Sequence, residues 1–149
     1  MLRIFWNMMI VIMLGFMLGS GGTYAHKDAT GIVKTRMDGF KQSQQNFKDL
    51  IRAAHGNDFE TVRTLSVSLT EWGQQINQHF PTGSNYPPSE AADTIWSDAP
   101  GFTRAIDDYI NATQDITAAA IAADKPAIMA GIKLTSDSCT SCHNVYRVK

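Results

Sequence analysis

The sequence predicts an all-α protein, an antiparallel four-helix bundle, and three observations carry that prediction. Four segments repeat apolar residues at alternating steps of three and four, which is the spacing of one helix face. No segment shows the apolar–polar alternation of a strand. Two of the three connections between the segments are short, and short connections place consecutive helices side by side and antiparallel.

Residues 1–25 form a segment separate from the predicted bundle. Arg3 gives a short positive start, residues 4–18 are almost unbroken apolar, and small and polar residues lead to Ala25. This is the layout of a secretory signal peptide, and we expect cleavage after Ala25. An uncleaved anchor is the alternative, although the apolar run is short for a membrane span. We therefore divide the chain into a signal peptide, 1–25, and one helical domain, 26–149.

The first two helices are predicted on either side of a short turn. The first runs from about Asp28 to Ala54, and Gly56 and Asn57 end it. Asp58 is placed to cap the second helix, and Pro81 stops it. The apolar stripe of the first helix is Val33, Met37, Phe40, Phe47, Ile51 and Ala54. The stripe of the second helix is Val62, Leu65, Leu69, Trp72, Ile76 and His79.

The connection over residues 80–98 is long and holds three of the 5 prolines. A loop of this length in a compact domain is usually functional or a crossover, and we expect Ile95 and Trp96 to pack it onto the core. Ser97 or Asp98 is predicted to cap the third helix, where Pro100 falls in the first turn. The stripe that follows is Phe102, Ile106, Tyr109, Thr113, Ile116 and Ala120.

The fourth helix is predicted to begin after Asp124, with Pro126 in its first turn. Both cysteines of the chain fall on its apolar stripe, so we expect them on the face turned towards the core. That stripe is Ile128, Ile132, Thr135, Cys139, Cys142 and Tyr146.

The segment Cys139-Thr140-Ser141-Cys142-His143 has the spacing of a covalent haem c attachment site. Two thiols three residues apart share a helix face, so each can add to a haem vinyl group. The adjacent His143 can then bring an imidazole nitrogen to the iron. The chain has only these 2 cysteines. We therefore expect one covalent haem c on the C-terminal helix.

Three other uses of this motif fit the sequence less well. A redox dithiol usually lies beside a strand in a βαβ pattern, and none is present. A structural zinc ion needs four ligands, whereas His26, His55 and His79 are scattered along the chain. A simple disulfide suits an oxidising compartment but leaves His143 without a role.

With this motif at the end of its last helix, the domain resembles the cytochrome c′ family, the class II c-type cytochromes, over essentially its whole length. Four segments carry the resemblance, and each keeps its order and spacing: Ile32-x-x-x-Arg36, Phe80-Pro81-x-Gly83-Ser84, Ile95-Trp96-Ser97-Asp98 with Phe102, and Cys139-x-x-Cys142-His143-x-x-Tyr146-Arg147.

The resemblance implies a role for each matching residue. Cys139 and Cys142 would hold the haem through thioethers, and His143 would be the proximal iron ligand. Arg147 would lie beside that histidine, and Arg36 would pair with a haem propionate. The resemblance also implies export to the periplasm, a redox partner protein of unknown identity, and a possible homodimer.

The position four residues after Arg36 decides between two functions within the family. Electron carriers have an iron-binding Met there, whereas this chain has Phe40, which cannot ligate. We therefore expect a five-coordinate iron that binds NO or CO, or transfers single electrons. The alternative is a low-spin electron carrier with Met37, on the same helix face, as sixth ligand. His55 and His79 are expected to be surface or cap residues.

Two further expectations concern partners and activity. Lys and Arg total 13 against 14 Asp and Glu, mixed along the chain, so no basic surface for nucleic acid is expected. No distal His–Arg pair is placed to cleave a peroxide. We therefore expect a binding or carrier protein and no enzyme.

Overall fold

The computed structural model describes residues 29–148, and within that range it is helical with no strand. The predicted signal peptide, residues 1–25, lies outside the described residues. The helices are α1 (Gly31–His55), α2 (Phe59–Ile76), the short α3 (Thr94–Ser97), α4 (Ala99–Ile121) and α5 (Lys125–Tyr146). Helices α1, α2, α4 and α5 form the bundle, which confirms the predicted fold class. None of these helices is both long and apolar enough to cross a membrane.

Three aspartates begin three of the bundle helices, as the sequence predicted. Each side chain accepts a hydrogen bond from the backbone N–H three residues on, which otherwise has no partner in the first turn. For α4 the cap is Asp98 and not Ser97. The three bonds are Thr61 N–H to Asp58, Gly101 N–H to Asp98, and Ala127 N–H to Asp124.

The bundle closes tightly on three sides and loosely on the fourth. Helix α2 packs on α4, α4 on α5, and α1 on α2, whereas α1 and α5 touch only along a short stretch. The fully buried side chains occupy the interior: Val33, Leu50, Val62, Leu69, Ile116 and Ile128. The opening between α1 and α5 is therefore the place where the bundle can hold another group.

Four hydroxyl groups lie inside the interface between α2 and α4. Ser66 and Thr117 are 2.8 Å apart and Thr70 and Thr113 are 2.9 Å apart between their hydroxyl oxygens. Because each hydroxyl is paired, these polar atoms are buried without being left unsatisfied.

The long connection holds the end of α5. Trp96 donates its indole N–H to Phe80 O at 2.9 Å, and Ile95 is 4 % exposed, so both pack inward as predicted. Residues 90–94 then bind residues 145–148, a contact that we call the C-terminal clasp. Its bonds are Ala92 N–H to Tyr146 O (3.0 Å), Val148 N–H to Glu90 O (2.9 Å) and the Thr94 hydroxyl to Val145 O (2.6 Å).

The end of α2 differs from the sequence prediction. The helix ends at Ile76, and residues Asn77–His79 form one 3-10 turn before the connection. We expected His79 to be a surface or cap residue, and it lies half-buried in this final turn. Its ring stacks on Trp72, with the two centroids 5.3 Å apart and the planes at 19°. His55, in contrast, is exposed at the end of α1.

Candidate cofactor site

Both cysteines lie on the inner face of α5, near its end. Cys139 and Cys142 are half-buried free thiols that pack against the hydrophobic core. They are one helical turn apart, so the two side chains share the same face of α5. His143 follows directly, and its ring is turned towards α1.

The thiols are held in their protonated form. Burial raises the pKa of the Cys139 thiol. Burial and then the neighbouring Cys139 raise the pKa of Cys142 to about 11. Because the thiolate is the attacking species in disulfide exchange, and a redox dithiol works best with a pKa near ambient pH, this pair is poorly suited to that chemistry.

The surroundings of the His143 imidazole favour its neutral form. Desolvation lowers its pKa first, and the positive charge of Arg147 lowers it further. A neutral imidazole has a free nitrogen lone pair, which is the form that binds a metal. Within residues 29–148 no group of three or more His, Cys, Asp or Glu side chains is placed to hold a metal ion. A neutral imidazole suits an iron whose other ligands come from a cofactor.

Phe40 stands opposite His143, on α1. The two ring centroids are 6.4 Å apart, with the planes at 69°. Phe40 also meets the edge of Trp72, at 5.2 Å, and lies 6.4 Å from Phe80. These rings make an apolar wall facing the end of α5, while Met37 is half-buried one turn earlier on α1.

Gly39 lets Trp72 reach this wall. A Cβ at Gly39 would lie 2.1 Å from the Trp72 ring, closer than any real side chain allows. The glycine therefore gives the indole room to pack directly against the backbone of α1. A Gly in a helix interior often marks such a close approach, and this is the one signal for the contact that can be read from the sequence.

Two nitrogen atoms beside this wall have no partner. Trp72 Nε1 and His79 Nδ1 are buried, and neither makes a hydrogen bond within the described part of the chain. Leaving a buried donor unpaired costs about 1–3 kcal/mol. Such atoms fit a site that receives a group carrying hydrogen-bond acceptors.

Arg36 is buried without a carboxylate partner. It is 3 % exposed, burial lowers its pKa, and its guanidinium lies over the Phe80 ring at 4.5 Å. Its terminal nitrogens donate only to neutral oxygens of the connection. These are Ser84 Oγ (2.9 Å), Ser84 O (2.8 Å), Ser89 Oγ (2.5 Å) and His79 O (3.2 Å).

Arg147, the other predicted cation of the site, lies at its exposed edge. Its Nε donates to Glu90 Oε2 at 2.7 Å, and a terminal nitrogen contacts the same carboxylate. The ion pair joins α5 to the connection, as part of the C-terminal clasp. The charge still acts on His143, whose pKa it lowers.

Taken together, these residues fit a flat, mainly apolar cofactor that carries iron and carboxylates. The opening between α1 and α5 offers thiols and an imidazole on one side and aromatic rings on the other. The unpaired donors and a buried cation lie beside it. The fit rests on Cys139, Cys142, His143, Phe40 and Trp72 with their neighbours.

Comparisons with known sequences point to one family. A sequence model described as cytochrome C′ matches residues 31–147. Cytochrome c′ from Rubrivivax gelatinosus is 34% identical over 89 residues, which are 59% of this chain and 64% of that protein. The aligned part therefore spans less than two thirds of the relative.

Solved structures show the same fold. Cytochrome c′ from Rubrivivax gelatinosus has a TM-score of 0.70 at 23% identity, covering 78% of this chain and 94% of that one. A nitric oxide complex of a variant cytochrome c prime from Alcaligenes xylosoxidans has a TM-score of 0.72 at 24% identity, covering 79% and 94%. Cytochrome c prime from Shewanella frigidimarina gives 0.72 at 23% identity, also covering 79% and 94%.

Proposed function

The chain belongs to the cytochrome c′ family, and we propose that it is a periplasmic protein with one covalent haem c whose five-coordinate iron binds NO or CO. The observation that carries this proposal is the position of Phe40, whose ring faces His143 at 6.4 Å between centroids. A carbon-only ring at that place offers no ligand to an iron held by His143.

Two thiols and one imidazole would hold the cofactor. In each attachment the S–H of Cys139 or Cys142 would add across a vinyl group, forming a C–S bond and leaving the proton on the neighbouring carbon. His143 would bind the iron through its neutral imidazole. When bound, the haem supplies an iron centre that takes up small diatomic molecules and exchanges single electrons.

Phe40 would select which molecules reach the side of the iron opposite His143. Its ring excludes water and larger polar molecules, and it makes no hydrogen bond to a bound molecule, so small neutral gases are favoured. The Trp72 and Phe80 rings pack near it and restrict its movement. Nitric oxide complexes of cytochrome c prime variants from Alcaligenes xylosoxidans support NO as the ligand class.

The site supports binding rather than catalysis. Arg36, the one buried cation near the wall, donates to neutral oxygens of the connection, so it is not poised beside a reacting molecule. We therefore propose a gas-binding protein, or a single-electron carrier, without enzymatic turnover. A redox partner protein and a homodimer remain part of this proposal as expectations from the family.

The optical and EPR spectra of the purified holoprotein, ferric and ferrous, with and without CO, test the proposal. A high-spin five-coordinate signature with ready CO binding is expected. A low-spin spectrum with a thioether-to-iron charge-transfer band that resists CO would instead assign Met37 as sixth ligand, and the protein would be an electron carrier.

A further inference from the structure

Trp72 Nε1 and His79 Nδ1 form a pair of unpaired nitrogens beside the proposed haem. Their rings are stacked, with centroids 5.3 Å apart, and both atoms are buried. The indole N–H can only donate, so it needs an acceptor, and the imidazole Nδ1 can donate to the same acceptor. Trp72 also touches Phe40, which faces His143, so the pair borders the site itself.

Arg36 is already engaged by the protein. A guanidinium has five N–H donors, and four hydrogen bonds from its two terminal nitrogens go to Ser84, Ser89 and the carbonyl of His79. Only its Nε–H is uncommitted. This residue therefore fixes the start of the connection, and with it the backbone of His79, and it has little donor capacity left for a ligand.

The local charge favours an anion at the unpaired nitrogens. The Arg36 guanidinium is bonded to the backbone carbonyl of His79 at 3.2 Å and forms no ion pair within the described residues. A buried cation without a counter-charge is unfavourable, and a carboxylate beside it would relieve that cost. A bridging water would pair the nitrogens but would leave the charge uncompensated.

We propose that Trp72 Nε1 and His79 Nδ1 together bind one carboxylate of the haem, while Arg36 acts as a positioning residue that holds the connection and compensates the charge. This inference rests on the proposed function, since it needs the haem to be present. It assigns His79, which the sequence motif does not include, as a binding residue for the cofactor.

Three variants of the holoprotein test the pair. His79→Phe keeps a ring to stack on Trp72 but removes the donor. His79→Asn places an amide nitrogen close to the position of Nδ1 and so keeps a donor. Trp72→Phe removes the indole N–H. His55→Phe, at the exposed end of α1, is the matched control for a His-to-Phe change.

Two readouts follow the carboxylate directly. Resonance Raman spectroscopy reports the bending modes of the haem propionates, which depend on their hydrogen bonds. The midpoint potential reports the charge near the iron, because a carboxylate that loses its donors stabilises the ferric state. We expect His79→Phe and Trp72→Phe to shift the propionate band and lower the potential, with His79→Asn and His55→Phe close to the unmodified protein.

The outcomes separate this inference from the proposed function. Covalent haem with an unchanged band and potential in His79→Phe and Trp72→Phe overturns the carboxylate site and leaves only a buried water between the nitrogens. Equal shifts in His79→Phe and His79→Asn overturn the role of Nδ1. If Trp72→Phe does not fold, the two His79 variants still test whether the nitrogens bind a haem carboxylate. Absence of covalent haem from the unmodified protein overturns both proposals.

Discussion

At the scale of single residues, Phe40 decides what can bind opposite His143. We predict that Phe40→Met gives a low-spin, six-coordinate haem, because a thioether would then occupy the place of the ring that now faces His143. Optical and EPR spectra of the ferric protein measure the change. Phe40→Leu is the control, since it is apolar and cannot ligate, and should stay high-spin.

A Phe40→Met spectrum identical to that of the unmodified protein would mean that this position does not face the iron. In that case the apolar lid would have to be sought elsewhere on α1. Met37, half-buried one turn earlier on the same helix, would be the first residue to substitute.

Tyr109 gives the protein a dependence on alkaline pH. Its hydroxyl is 3.0 Å from Ser43 Oγ, and burial raises its pKa from the ordinary 10.0 to about 12. Because the folded state holds this proton more tightly, its contribution to the free energy of unfolding is complete below pH 10 and is lost as the pH rises towards 12. A pKa difference of about two units between the folded and unfolded states corresponds to roughly 3 kcal/mol of unfolding free energy.

Tyr109→Phe isolates that effect. We expect the difference in unfolding free energy between the native protein and this variant to fall by roughly 2 kcal/mol between pH 9 and pH 12, where the folded-state hydroxyl is itself half ionised. Denaturant titrations at both pH values measure it. A difference that stays constant with pH would show that Tyr109 does not titrate as its burial implies.

Residue positions could be predicted from the sequence where a helix face determines them. Cys139 and Cys142 follow the apolar stripe of α5 and pack inward in the structure. His79 could not be placed, because its surroundings depend on Trp72 and on the short 3-10 turn that reorients it. The neutral hydrogen-bond partners of Arg36 could not be predicted either, since Ser84 and Ser89 lie 48 and 53 residues further along the chain.

At the scale of helices, the contact of α1 with α2 depends on Gly39. We predict that Gly39→Ala destabilises the protein, because its Cβ would lie 2.1 Å from the rigid Trp72 ring. Overpacking costs about 1–3 kcal/mol, and the better helix propensity of Ala returns only about 1 kcal/mol. A denaturant titration gives the net loss, and fluorescence reports the displaced indole.

Gly56→Ala is the matched control for this substitution. Gly56 has a negative φ of -76°, and a Cβ there makes only ordinary contacts, at 3.5 Å. We expect its effect to be neutral or slightly stabilising. Equal losses from both glycines would indicate a general helix effect and not the contact with Trp72.

The four long helices and their starts could be predicted because their signals are local. Periodicity located each helix, and the caps at Asp58, Asp98 and Asp124 are those of the structure. The short α3 and the 3-10 turn were not predicted. Elements of three or four residues carry no periodicity. In the structure α3 is held by two bonds, Thr94 to Val145 O and Trp96 to Phe80 O.

At the scale of the whole molecule, the cofactor is expected to complete the bundle. We predict that Cys139→Ala combined with Cys142→Ala abolishes covalent haem, because no other thiol is present in the 149-residue chain, which has 2 cysteines. Haem staining after denaturing electrophoresis measures it. Ser138→Ala together with Ser141→Ala, at neighbouring positions of α5, should retain the stain.

Haem that survives denaturation in the double cysteine variant would contradict covalent attachment through these residues. Loss of stain in the serine variant as well would point to failed folding.

The bundle topology was predictable from connection lengths, whereas the loose packing between α1 and α5 was not. It depends on how four separate stripes meet, and no single stripe contains that information.

The C-terminal clasp has a consequence for the order of biogenesis. Residues 90–94 and 145–148 are more than 50 positions apart, as in the Thr94–Val145 bond, so we expect this contact to form late in folding. Until it forms, we expect the last turns of α5 to stay accessible. We therefore expect the proposed haem attachment at Cys139 and Cys142 to be faster on a chain whose C-terminal clasp has not yet formed, and slower once the clasp has closed.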